Sequence, residues 1–302
     1  MLVNGCDCSI VIKTAHRETD IPFSDETLRE AVSILQEEAS IEGDGVSRGI
    51  RKIIGVTGCV VSPLTITTAP LLLYLAIGAA GLPLFISETR NLFRYELNLL
   101  PMEDTEHFDL IHDRSGNNEQ LTGNNERKLY ENCHVQSFEF RVLRGEAVKL
   151  KLDICGECAP RAYPYTDTFD KESGERFSGD YVTYQINSQE YTNIYGITLV
   201  SKKISGTKTE LWIKRALQQG SPPNGGGDIP AVIDEIIIMA HLLRDKYEVN
   251  RFGMFRITLK RLVLISDETE VNTADTVIGP LRYYVLGGIC AEVFSNGGGC
   301  LE

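Results

Sequence analysis

At 302 residues, with 42% hydrophobic and 24% charged side chains, the chain has ordinary globular composition and exceeds one typical domain. Its net charge of −12 argues against tight nucleic-acid binding, since that affinity comes mainly from Lys and Arg displacing counterions at phosphates. Residues 1–168 hold 16 basic and 25 acidic side chains, −9, and the remainder −3, so the acidity is concentrated in the first half.

Met1 to Ile12 has no basic region leading into an apolar run, so no export signal is expected and the eight cysteines are read as reduced thiols. Ser24 as N-cap, Asp25 and Glu26 in a first turn, and Leu28, Ala31, Val32, Leu35 and Ala39 on one face predict a helix over 24–40. A strand or hairpin follows from Ile50 to Ser62, turned by Gly55 and Gly58. The apolar run Leu71 to Ile86 is interrupted by Gly78, Gly81 and Pro83. It is too short to span a bilayer and predicts a buried helix from Leu71 to Ala79.

Strict alternation then takes over. Phe93 to Leu99, Phe138 to Val142 and Val148 to Ile154 each place apolar residues at every second position, the pattern of half-buried antiparallel strands. Arg144-Gly145-Glu146 is the expected hairpin turn between the last two. Residues 101–128 read as a long polar loop containing two Gly-Asn-Asn-Glu motifs seven residues apart. A linker is expected at 161–180. Strands at 181–186, 197–203, 207–214, 255–265 and 282–294 then surround a helix from Ile229 to Arg244, capped by Asp228 with Pro230 in its first turn. The expected division is therefore 1–160, a linker 161–180, and 181–302, each half reading as strands, one helix, then strands. The fold class is mainly β, antiparallel, with a flanking helix, and a tandem duplication is an open alternative.

Catalytic chemistry finds little footing. Cys155-Gly156-Glu157-Cys158 has the spacing of half a zinc site, which Cys6 with Cys8 or Cys133 with His134 could complete. It closes a strand and runs into Ala159-Pro160, whereas a redox CxxC opens a helix. Idle thiols are the preferred reading, with no metal or other cofactor. His107 and His112 lie among Glu103, Asp104, Asp109 and Asp113, but a spacing of five is not that of a helical metal pair, and solvated loop residues are preferred. The Gly225–Gly227 and Gly297–Gly299 runs lack the Lys-Ser/Thr pair of a phosphate loop. No enzyme is expected.

Lys128 to Phe140, "KLYENCHVQSFEF", followed by Arg144 to Ile154, "RGEAVKLKLDI", resembles the strand–turn–strand of tail tube proteins of long-tailed bacteriophages. Lys52 to Thr65, the helix after it and Phe93 to Leu99 fit the same template in the same order, so the resemblance covers residues 45–158. It implies a β-sandwich or barrel with a flanking helix, whose copies form rings that stack into a tube. The partners implied are the chain itself, in trimeric or hexameric rings, a tape-measure protein and tail-end proteins. DNA would pass an acidic bore without specific binding, in a virion assembled in the bacterial host cytoplasm. On this reading the 101–128 loop reaches the neighbouring ring through Glu103, Asp104, Asp109, Asp113, Asn117, Asn118, Asn124 and Asn125. A distal-tail or tail-completion ring protein, and a small metal-binding protein using Cys155 and Cys158, are the alternatives.

Overall fold

The computed structural model describes residues 9–14, 18–35, 50–78, 84–87, 92–98, 107–113, 127–163, 175–203, 208–218, 229–241, 253–267, 270–271 and 276–295. Among them the chain is mainly β, with a large antiparallel sheet and one α-helix. In chain order the elements are β1 (Ser9–Lys13), β2 (Glu18–Asp20), β3 (Asp25–Glu26), β4 (Arg29–Leu35), β5 (Ile50–Pro63), α1 (Ala69–Ile77), β6 (Leu84–Ser87), β7 (Leu92–Asn98), β8 (Phe108–Asp113), β9 (Arg127–Leu143) and β10 (Lys149–Gly156). After these come β11 (Arg161–Ala162), β12 (Val182–Ile186), β13 (Gln189–Glu190), β14 (Ile194–Lys202), β15 (Lys208–Gln218), β16 (Val232–His241), β17 (Gly253–Asp267), β18 (Glu270–Val271), β19 (Thr276–Val285) and β20 (Ile289–Ser295). The chain gathers into two compact units, each drawn from three stretches. The smaller holds Met1–Val60, His107–His134 and Asp153–Lys171; the larger holds Val61–Glu106, Val135–Leu152 and Glu172–Glu302.

In the smaller unit β1 pairs with β2 and β8, and β8 pairs with the start of β9. Ile10, Val11 and Ile12 are all buried, so both faces of β1 are covered and its sequence is a continuous apolar run. The helix expected over 24–40 is instead β3 and β4, as far as the described residues extend. β4 pairs with β5, where Ile54 is the extra residue of a bulge opposite Ala31 and Val32. The spacing of Leu28, Ala31, Val32 and Leu35 suits a helix, and pairing with β5 overrides it. Val32, assigned to the buried stripe of that helix, is 41% exposed. β5 is one continuous strand with no hairpin at Gly55 or Gly58. A Cβ on Gly55 would collide with the Gly156 carbonyl of β10, so glycine is required there for close backbone approach rather than for a turn.

The strand–turn–strand over 127–156 forms, and its turn, in the larger unit, has Gly145 at φ 78°, the left-handed position that glycine favours. From β9 the ladder runs through β14 and β15 to β19. β17 then pairs with β16 along one edge and, along the other, with β20 over 253–259 and β19 over 262–267. Arg261, at φ 50°, marks the division, and the Leu286 and Gly287 N–H groups donate to the Arg261 and Lys260 carbonyls there. The single strand expected over 282–294 is thus two strands sharing one edge. The apolar sides meet where Phe255 of β17 packs edge-on against Phe140 of β9, at 5.6 Å, and against Phe177, at 4.9 Å.

The predicted apolar helix is α1, which packs against β7 and β20. Its residues are buried except for half-buried Tyr74, as an all-round apolar helix requires. The Thr65 and Thr68 hydroxyls bond each other at 2.8 Å and take the backbone N–H of the other residue, fixing the helix entry. Gly78 closes it by donating to the Tyr74 carbonyl. The helix expected over 229–244 is β16 over its described length. Ile233, Ile236, Ile238 and Ala240 are buried while their neighbours are less so, and β-branched Ile favours the pleated, doubly paired position between β12 and β17. Strand–helix–strand order is therefore not repeated among the described residues of the second half. Within the expected linker, Phe177 is buried, its N–H donates to the Leu64 carbonyl and its carbonyl accepts from Val148, so residues 175–180 belong to the larger unit. Residues 164–174 lie outside the described ones.

Lys203, next to β14, is 3% exposed, and its Nζ has no hydrogen-bond partner among the described residues. Burial depresses its pKa from 10.5 to about 8, so the folded state disfavours the ammonium. Between pH 8 and 10.5 the unfolded chain binds more protons, and stability rises with pH across that window. Lys203→Met is expected to raise the melting temperature at neutral pH, by on the order of 3 kcal/mol in stability. It should also flatten this rise, as thermal melts from pH 7 to 11 would show.

Candidate functional site

Two surfaces concentrate polar chemistry, one in each unit. In the smaller unit β1, β8 and β9 align side chains row by row. Asp113 faces Arg127 across the ladder, and its Oδ2 accepts from Nε at 3.0 Å with Nη2 at 2.9 Å, both residues nearly buried. On the same face Lys13 Nζ donates to Glu18 Oε1 at 2.7 Å, and the Tyr163 hydroxyl donates to the same oxygen at 3.0 Å. The Glu18 hydrogen bond raises the Lys13 pKa. Burial pushes the Glu18 carboxyl up, but the bonds from Lys13 and Tyr163 outweigh it and hold the carboxyl low. On the opposite face, buried His112 places Nε2 3.6 Å from Glu26 Oε1, and Lys128 donates to Glu30 at 2.7 Å.

At one end of this sheet a bulge opposite Phe108–Leu110 puts Asn132 at φ 58°, and its N–H donates to Asp109 Oδ1 at 3.1 Å. Lys13, Thr14, His107, Phe108, Asp109, Glu131 and Asn132 line an open cavity of about 400 Å³ there. The structure thus corrects part of the loop expected at 101–128. Asp109 and Asp113 belong to β8, and Asp113 is committed to Arg127 rather than available to another subunit. His107 precedes β8 and is exposed, whereas His112 lies within it and is buried. Glu103, Asp104, Asn117, Asn118, Asn124 and Asn125 lie outside the described residues.

The thiols gather around Gly156. Cys133 Sγ lies so near that a Cβ on Gly156 would stand 2.7 Å from it, and Cys155 and Cys158 flank that glycine in sequence. Burial, with the nearby Asp109 and the other two thiols, pushes Cys133 up to about 12, and burial also raises Cys155. Raised thiol pKa values work against thiolate nucleophiles and metal ligands. No group of three or more His, Cys, Asp or Glu among the described residues is placed to hold a metal ion.

The second surface is the outward side of the larger unit's sheet, which sequence reasoning missed. The register aligns Arg141 of β9, Thr198 of β14, Trp212 of β15 and Arg282 of β19 in one row. The next row holds Glu139, Val200, Glu210 and Tyr284, and continues to Val263 and Val232. Arg282 lies 5.3 Å from the Trp212 ring and donates twice to Glu210 Oε2, at 2.6 and 2.9 Å. Lys208 reaches Glu210 at 3.0 Å and lies 5.0 Å from the Tyr284 ring. Burial pushes the Glu210 carboxyl up, but the bonds from Arg282 and Lys208 hold it low. Trp212, Val263 and Val232 remain 38%, 41% and 61% exposed.

The long-stranded antiparallel sheet and the buried helix define a mainly β protein, and one side of the larger unit's sheet carries an exposed aromatic–ionic cluster. No protein-family model matches the chain, and no curated protein matches its sequence. No helix among the described residues is long and apolar enough to cross a membrane.

Treating the native protein with iodoacetamide at pH 8 is expected to spare Cys133 while modifying half-buried Cys158. Peptide mass spectrometry reads the difference, which denaturation should abolish.

Proposed function

We propose that this chain is a structural virion protein, the tail tube subunit of a long-tailed bacteriophage or phage-like particle, which self-assembles into stacked rings around a DNA conduit. The observation that carries the reading is the β9–β10 hairpin. Residues 127–156, which hold the resemblance to tail tube proteins, form two long antiparallel strands joined at Arg144-Gly145-Glu146. The adjoining α1 and β7 keep the order of that template.

Physical features support the same reading. Phe138, Phe140 and Val142 of β9 and Ile197 and Leu199 of β14 are apolar and buried, giving the larger unit an apolar core. The outward side instead combines Trp, Tyr and Arg, the residue types that dominate protein–protein contacts. Edges of antiparallel sheet are aggregation hazards in a monomer and assembly surfaces in a ring. In this role the chain works with other copies of itself, a tape-measure protein and tail-end proteins, and DNA passes without sequence-specific contact. The net charge of −12 favours that passage.

Sedimentation velocity at rising protein concentration is expected to show species that keep growing beyond any single closed ring. One ring-sized species at every concentration would shift the assignment to a tail-end component. A monomer throughout would contradict self-assembly.

A further inference from the structure

On the outward side of β10, β9, β14, β15 and β19 the charge runs against that of the whole chain. β10 presents Lys149 and Lys151 and β9 presents Arg141, each between apolar, buried neighbours, and β14 presents Lys202 between buried Ser201 and Lys203. Lys208 and Lys214 of β15 and Arg282 of β19 continue the surface. Against these seven cations stand Glu139, Asp153, Glu210 and the turn residue Glu146, a balance of +3 in a chain of −12, which leaves −15 to everything outside the face. With neighbouring strands about 4.8 Å apart, the five strands span about 19 Å.

We infer that this basic sheet face docks the net-acidic remainder of a second copy of this chain, head to tail, with Trp212 and Arg282 at its centre. The inference rests on the proposed self-assembly and names the surface that carries it. Charge decides the geometry. A two-fold contact would set the net-positive face against itself, which like-charge repulsion disfavours. A head-to-tail contact sets it against the −15 remainder of the next copy, and heterologous contacts are those that close rings or continue as filaments. A nucleic-acid backbone fits less well. The chain as a whole, at −12, repels a polyanion. Trp212, 38% exposed with a guanidinium at its ring, is the kind of rigid anchor found at the centre of protein interfaces.

The test compares the full chain with a Lys202→Glu, Lys214→Glu variant and with an Arg29→Glu, Lys52→Glu variant, which makes the same charge change on the smaller unit. Matching thermal melts establish that all three are folded. Light scattering in low and high salt reads association. Wild type and the smaller-unit variant are expected to associate in low salt and dissociate as salt rises, with the face variant needing roughly tenfold or more protein to associate. If the face variant assembles like wild type, the docking surface is wrong while the tube reading stands. If association depends on the face but stops at closed rings in electron micrographs, the docking surface holds and the tube reading fails. Retention of random-sequence double-stranded DNA by wild type in a filter assay, lost in the face variant and without self-association, would overturn the inference in favour of nucleic acid.

Discussion

The larger unit depends on the backbone ladder along β17. One edge of that strand is held by β16, and the other is divided between β20 and β19, with Arg261 at the division. The left-handed residue changes the phase of the strand. Phe255, Ile257 and Leu259 are buried before it, and Leu262 after it. Because two strands share one edge, the sheet diverges into two arms. The β20–β7 arm receives α1, and the β19–β15–β14–β9 arm carries the outward aromatic–ionic face. A regular fifteen-residue strand would keep one phase and place either Phe255 or Leu262 on the wrong side.

What the sequence revealed and what it hid follow from one distinction. Strands with clean alternation and one polar face, such as β7, β9, β10 and β14, were legible because period two is a local property of the chain. So were α1, apolar on every side, and the turn at Gly145. β4 and β16 were not, because their identity comes from partners distant in sequence. Leu28, Ala31, Val32 and Leu35 have a helical spacing, and the sequence before β16 offers Asp228 and Pro230 while the strand itself holds the apolar run Ile236–Ala240, all of which suit a helix equally well. Pairing with β5, and with β12 and β17, decided both.

The candidate surfaces were less legible still. Asp109 and Asp113 drew attention as loop acids, but β8 takes them into the sheet, where Asp113 neutralises Arg127. The basic face draws its residues from five strands, and no segment of the sequence holds more than a few of them. A faint signal did exist: Lys202, Lys208 and Lys214, together with Val200, Glu210 and Trp212, occupy the polar phase of two successive alternating strands. Their common side emerges when the β14–β15 register is known. In physical terms, a chain that is acidic overall carries a basic, aromatic-centred side on the sheet of its larger unit.

Negative-stain electron microscopy of the purified full-length protein in low salt tests this account most directly. The account predicts hollow tubes built of stacked rings, which shorten or dissolve as salt is raised. Isolated particles of monomer size at every concentration and salt would contradict it.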